Sequence, residues 1–552
     1  MDLRQRLGLL VLGFVVIGPS SASAGEPAQL AELVTVEGLR RHVMVLGSDG
    51  LEGRAAGSRG GNRAAAYIAD ELERIGVSPA GDNGSYLQQV PLQGSRPRPD
   101  SRLMVSSLGE KKLLELGRDY LLVTTGEQTL LPRATPVVFV GYGIVAPEFD
   151  YNDYADVDVR GKVAVFIDGE PSSGDPGYFR GDEPSVYSAI ETKQRTALSR
   201  GAVASVLIPP TGAGETWWAG RERSYAFEHI TAAAGVPRHL SLILHPSVVP
   251  TLFSEALFDF TAIVEMDRTH TMRSFHLPVQ LSFTGDFDTR SFLAPNVVGV
   301  IEGADPRLRD TFVVVTAHYD HLGIGPEVDG DSIYNGVVDN ALGVAGGLEI
   351  ARAFMSLGRA PRRSLLFLFS TAEEEGNLGS TYFLDHTAVP LPDLVANVNI
   401  DGLAFLESFD DVVGIGGELS DLGRILDETA DALGLAVTPT TEIMWSHAAF
   451  ARSDQAAFAE AGVPSILISE GFRWPGTPFA EAVHRMWLWF ETRYHTPFDD
   501  LDQPLDLDAS RRHCGVTLAF IWAVADRRTA PQWKPGSSFA YQRLLSMAEH
   551  RD

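Results

Sequence analysis

Four short, largely apolar runs in the second half of the chain limit its fold more than anything else in it: Thr311–Thr316, Ser364–Phe369, Val395–Ile400 and Ser465–Ile468. Each is short and places apolar side chains on both alternating faces, the pattern of a strand covered on both sides. Ala341–Met355 is a helical stretch between the first two runs, and Asn377–His386 starts another after the second. Such alternation predicts an α/β fold: a mixed, mostly parallel sheet with helices on both faces.

Earlier segments have a different texture. Leu39, Val43 and Leu46 recur at helical spacing, and Ser58–Ile75 predicts a second helix stopped by Gly76, with a Gly-rich loop, 47–61, between them. Val137–Val140, Lys162–Ile167 and Val203–Ile208 read as strands, and Ala189–Arg200 as a helix closed by Gly201. This stretch holds no cluster of His with Asp and Glu, and is expected to be an inserted strand-rich domain. The expected division is a leader at 1–24, the first part of the main domain at 25–130, the insert at 131–267, the main domain again at 268–530, and a tail at 531–552. The 171–186 and 526–552 stretches are expected to be loop-like.

The leader reads as a signal peptide. Arg4 and Arg6 precede the apolar Leu7–Ile17, too short to span a bilayer, and Ala22-Ser23-Ala24 fits a cleavage site. The expectation is an exported, periplasmic or secreted bacterial protein with no membrane attachment after cleavage. Cys514 is the single cysteine of 552 residues, so no internal disulfide forms, and its helical surroundings suit a small apolar filler. A net charge of -27 argues against nucleic acid and anionic membrane as partners.

Acids and histidines fall at the ends of the predicted strands. His318-Tyr-Asp320 follows the first run, Glu373-Glu374 the second and Asp401 the third, while Asp339 precedes the helix at Ala341. In an open α/β sheet, ligands bind outside the carboxyl ends of the strands. His318, Asp339, Glu374, Asp401 and His495 therefore form a candidate metal-ligand set of nitrogen and carboxylate donors, the type zinc takes. Taken singly, Asp339 is more often a helix cap, and the favoured readings are a solvated acidic helix start for Glu373-Glu374-Glu375 and a surface histidine for His495. No G-x-S-x-G is present, which disfavours a serine hydrolase, and no P-loop is present.

Residues 30–95 and 285–525 resemble the di-zinc aminopeptidase family that includes bacterial leucyl aminopeptidases and glutamate carboxypeptidase. The matching pieces are Ala317-His-Tyr-Asp-His-Leu-Gly323, Asp339-Asn340, Ala372-Glu-Glu-Glu-Gly-Asn-Leu-Gly-Ser380, Asn399-Ile-Asp401 and Tyr494-His-Thr-Pro497. The insert resembles a protease-associated domain through Gly141-Tyr-Gly143, Val159-Arg-Gly-Lys-Val163 and Arg200-Gly-Ala202. The resemblance implies two Zn2+ ions bridged by Asp339, one completed by His318 and Asp401 and the other by Glu374 and His495. It implies Glu373 as general base and Asp320 as the group that orients His318 by accepting its other ring N–H. The implied activity is removal of N-terminal residues from a peptide substrate. Val338, Leu342 and Gln455 depart from the family's pattern without removing a ligand, and bear on substrate preference. Trp445, Phe450, Trp474 and Phe498 are either pocket or ordinary core. A carboxypeptidase or glutaminyl cyclase on the same scaffold, and a non-catalytic binding protein, are the alternatives.

Overall fold

The computed structural model describes residues 26–549 apart from 124–128, 172–174, 176–177, 180, 182–184, 186, 234–238 and 440–449. The expected leader, 1–24, lies outside the described residues.

The four apolar runs form neighbouring parallel strands. Their order is Ser364–Ser370, Phe312–His318, Leu394–Asn399, Ser465–Glu470. The sheet is mixed because its wings are antiparallel. Phe287–Ile301 pairs with the first of these strands, then come Leu87–Pro97 and His229–Ala232; Asp411–Ile415 pairs with the last. Alternation along each central strand explains its largely apolar character. Val313, Val315, Leu365 and Phe367 point into the largest core. There they join Leu39, Val43, Ile68, Val344 and Leu518 of the helices Val36–Leu46, Arg59–Ile75, Leu342–Ser356 and Leu507–Ala525. Val314, Leu366 and Leu368 point the other way, against Phe383 and Phe458 of the helices Leu378–His386 and Gln455–Glu460. A strand packed by helices on both faces admits a polar side chain before its end only where a buried partner meets it, as Asn397 and Thr316 meet each other.

The helix Arg59–Ile75 starts where Ser58 accepts from the Gly61 N–H at 2.9 Å and stops at Gly76, whose φ of 90° suits a residue without Cβ.

A second sheet runs Glu110–Leu114, Arg102–Ser107, Phe275–Thr284, Leu131–Phe139, Val163–Ile167, Ala204–Ile208, Leu240–Leu244, Tyr120–Leu122. Its strands extend beyond 131–267 on both sides. The outlying Glu110–Leu114 is almost wholly exposed and charged, so hydrophobic patterning does not reveal it. One segment of this region, His229–Ala232, leaves the second sheet and pairs with Leu87–Pro97 at the edge of the first. The expected loop at 526–552 contains a helix, Ser538–Glu549, whose Phe539 ring lies 5.1 Å from Trp533 and 5.9 Å from Phe450. Its pattern is short and interrupted by polar residues, and its apolar contacts come from distant parts of the chain.

Candidate metal centre

The carboxyl ends of three parallel strands deliver the site. His318 is the last residue of its strand; Glu373 and Glu374 follow Ser364–Ser370; Asp401 follows Leu394–Asn399. Asp339 lies in the turn Val337–Ala341 that leads into the helix Leu342–Ser356, and His495 comes just after the helix Phe479–Thr492. The turn's carboxylate does not cap the helix. Its Oδ1 lies 3.4 Å from His318 Nε2 and its Oδ2 3.1 Å from His495 Nε2. His318 Nε2 is also 3.2 Å from Asp401 Oδ1, and His495 Nε2 is 3.2 Å from Glu374 Oε2. All five residues of the expected ligand set thus meet, as two groups that share Asp339. Glu373 stands beside them, with Oε2 3.9 Å from His318 Nε2 and with Oε1 buried and lacking a hydrogen-bond partner.

The electrostatics of this cluster call for positive charge. Burial works against charge on His318 and His495, yet the surrounding carboxylates win, lifting His318 well above the usual imidazole range and His495 to about 10. Burial likewise opposes ionisation of Asp339 and Glu374, but the facing histidines hold Asp339 well below the carboxylate range and Glu374 at about 2. Glu373 goes the other way: burial, with Asp401 and Glu374 nearby, raises it well above that range. The histidines hold protons where a cation would serve the same acids. Two imidazoles and three carboxylates are a nitrogen and oxygen donor set that zinc fits. The lone thiol, Cys514, is buried elsewhere, against Gly346.

Several buried groups brace the loops that carry these residues. Asp499 accepts from the N–H groups of Val338 and Asp339, at 2.9 and 3.0 Å. Asn340 donates to the Ile400 carbonyl and accepts from Gly402 N–H, both at 2.9 Å, which ties the Asp339 turn to the Asp401 loop. Arg54, wholly buried, donates to the carbonyls of Leu46, Tyr319, Asn335 and Gly336. Sequence reasoning assigns none of these three a role. Asn340 stands in the matched piece Asp339-Asn340, and Asp499 offers a signal as an acid four residues after His495.

Asp320 is placed differently from expectation. Its carboxylate lies 3.9 Å from His318 Nδ1, and the ring nitrogen instead meets the Asp320 backbone carbonyl at 3.3 Å. The carboxylate accepts the Glu373 N–H at 3.2 Å, because the chain turns at the strand end and carries the side chain across to the neighbouring strand's loop. Asp320 therefore holds Glu373 rather than His318. His321, inside the matched motif but without an assigned role, joins the cluster: Nδ1 lies 2.6 Å from Glu374 Oε1. Phe450 and Trp474 are buried in core clusters and Phe498 is partly buried, while Trp445 lies outside the described residues. Gln455 is buried, accepting from Asn399 and donating to the Phe450 carbonyl, so this departure is absorbed by packing.

A cavity of about 290 Å³ reaches His321 and Glu374 and is lined elsewhere by Phe227, Glu228, Arg96 and Arg290. Phe227 packs edge-on to Tyr334 at 5.0 Å, and Glu375 accepts the Ile230 N–H at 3.2 Å. The segment around His229–Ala232 thereby forms one wall beside the histidine and carboxylate cluster.

Fold and site together define an α/β protein with a histidine and carboxylate cluster that could hold metal at the carboxyl edge of its sheet. Residues 296–521 match Peptidase family M28, and the chain carries a domain of that family. The chain is 27% identical over 258 residues to the probable glutamate carboxypeptidase AMP1 of Arabidopsis thaliana, covering 45% of this chain and 32% of the relative. It is 28% identical over 211 residues to aminopeptidase YwaD of Bacillus subtilis, covering 38% and 40%. The chain thus spans well under half the length of these curated relatives. Its fold is similar to that of an aminopeptidase from Aneurinibacillus sp. strain AM-1, with a TM-score of 0.55 at 18% identity over 92% of this chain and 98% of the other.

Proposed function

We propose that the chain is an exported exopeptidase, an aminopeptidase, that works with two zinc ions. The observation that carries this reading is the division of Asp339's two oxygens between His318 and His495. His318, Asp401 and Asp339 Oδ1 would hold one ion; His495, Glu374 and Asp339 Oδ2 would hold the other. When bound, the ions supply Lewis acidity, which polarises a scissile carbonyl and lowers the pKa of water. Glu373 takes the proton of the attacking water and passes it to the leaving amine; its free Oε1 supports this role. Asp320 fixes the Glu373 backbone while this happens. The cavity beside Glu374 offers room for the peptide next to the reacting bond.

Export rests on Arg4, Arg6, Leu7–Ile17 and Ala22-Ser23-Ala24. No helix among the described residues is long and apolar enough to cross a membrane. We take the second sheet as a protease-associated type of insert, on the strength of its Gly141-Tyr-Gly143 turn, where both glycines have positive φ.

The test is a panel of peptides with free and blocked ends, assayed before and after chelation. The expected result is zinc-restored cleavage of peptides with free N-termini and poor cleavage of acetylated ones. Full activity in metal-free protein ends the reading. Equal cleavage of acetylated peptides, combined with protection by C-terminal amidation, makes the enzyme a carboxypeptidase, as the name of the plant relative suggests for that protein.

A further inference from the structure

We propose that His321 is a positioning residue: its Nδ1–H holds one oxygen of Glu374 so that the other faces His495 and the ion between them. The proposal rests on the two-ion reading above. The imidazole side chain is completely buried, and Nδ1 lies 2.6 Å from Glu374 Oε1. The second oxygen, Oε2, lies 3.2 Å from His495 Nε2. An ionised carboxylate only accepts hydrogen bonds, so Nδ1 is the donor in this pair. Nε2 is buried without a hydrogen-bond partner, so the ring gains nothing there by turning over.

The seat of the ring is also fixed. A Cβ at Gly336 would come within 2.4 Å of His321 Cγ, so the ring occupies the space that a glycine leaves open. Gly336 has a φ of 59°, and its carbonyl is held by Arg54 at 2.8 Å. His321 also stands among the groups whose atoms could hold an ion, but an amide nitrogen cannot replace a ligating imidazole, so an Asn variant separates holding from ligation. Its Nδ1 is 3.9 Å from Asp339 Oδ2 but in hydrogen-bond contact with Glu374. Its consequence is selective: losing the N–H frees Glu374 to rotate, while His318 and Asp401, across Asp339, keep their own geometry.

Three variants of the full chain separate the N–H from the bulk of the ring. Asn places an amide nitrogen near the Nδ1 position, Leu has similar size without a donor, and Gln places its nitrogen nearer Nε2. Each protein is stripped with chelator, and Zn2+ is titrated in competition with a chromophoric chelator. Wild type is expected to bind two ions. His321→Leu and His321→Gln should bind one ion as wild type does and the other about 10- to 100-fold more weakly, the usual cost of losing a partner of a ligand. His321→Asn should bind both nearly as wild type does. The proposal is overturned if His321→Leu binds both ions normally, or if His321→Asn is as weak as His321→Leu. A wild-type stoichiometry of one overturns the two-ion reading instead, and the same Leu-to-Asn contrast then judges His321 on that single ion. Metal-free melting of each variant identifies one that fails to fold, and the Gln-to-Asn contrast replaces a Leu variant lost that way.

Discussion

Both sheet regions of the molecule bury carboxylates, and they satisfy them by different means. Beside the second sheet, just after the short strand Tyr151–Asn152, Asp153 accepts from Tyr142 N–H, Ile144 N–H and the Tyr151 hydroxyl at 3.1, 3.0 and 2.8 Å. The nearby Lys193 ammonium donates to the carbonyls of Ile167 and Gly169. Their own surroundings supply the partners. In the first sheet, Asp339, Glu374 and Asp401 face histidines that charge only by taking protons, and Glu373 has an oxygen with no partner. Buried charge is therefore not by itself a sign of function. What distinguishes a site is a set of buried acids whose partners are incomplete until a cation arrives.

The largest effect that sharpens this contrast separates two adjacent residues. Glu373→Gln should keep both ions and lower kcat by about 10² to 10⁴, since an amide cannot take a proton. Glu374→Gln should lose metal and activity together, because an amide is a poorer zinc donor. Elemental analysis and steady-state kinetics on both variants decide the matter, and a reversed pattern puts the assignment one residue out.

Zinc itself should stabilise one region selectively. At a free concentration 100 times its Kd, a ligand adds about 2.7 kcal/mol to the state that binds it. Calorimetry with and without zinc should move the melting of the first sheet and leave that of the second in place. A uniform shift, or none, breaks the comparison.

Asp320→Asn should cost less, about 10- to 100-fold in kcat with both ions retained, because it loosens the Glu373 backbone without touching a ligand. Loss of zinc from this variant would return Asp320 to the role of His318's partner.

The smallest effect on activity is expected beside the second sheet. Burial lifts Asp153 from the ordinary carboxylate range to about 7. Between about pH 4 and 7 the folded chain keeps a proton there that the unfolded chain has released, so stability falls as pH rises through this window. Asp153→Asn should remove that slope, at most about 1.4 kcal/mol per pH unit, and leave kcat/KM unchanged. Denaturant midpoints at several pH values check the first claim, and a fall in kcat/KM would show that the two regions are coupled.

The strand-and-helix alternation of the first sheet is legible because burial on both faces makes its strands largely apolar until they end. The acids and histidines stood out for the same reason: they begin where Val315, Phe369 and Ile400 stop. The bracing roles of Arg54, Asp499 and Asn340 are not legible, since most of their hydrogen bonds run to backbone groups far away in sequence. Asp320 was misjudged in its partner because the motif fixes which residues are near the strand end, while the turn after His318 decides where each side chain points. The charged edge strand Glu110–Leu114 and the helix Ser538–Glu549 owe their form to neighbours rather than to their own patterning.

Arg54 bears on how this protein can be cut and recombined. It lies outside the family-matched region 296–521, yet its guanidinium grips the backbone on either side of the turn between His318 and Asp339. A fragment trimmed to the matched region would keep every proposed ligand and lose a wholly buried arginine that fastens two of their loops. The recognisable domain is thus not a self-sufficient module, and a chimera that swaps it between relatives must carry its own stretch around Leu46–Arg54 along with it.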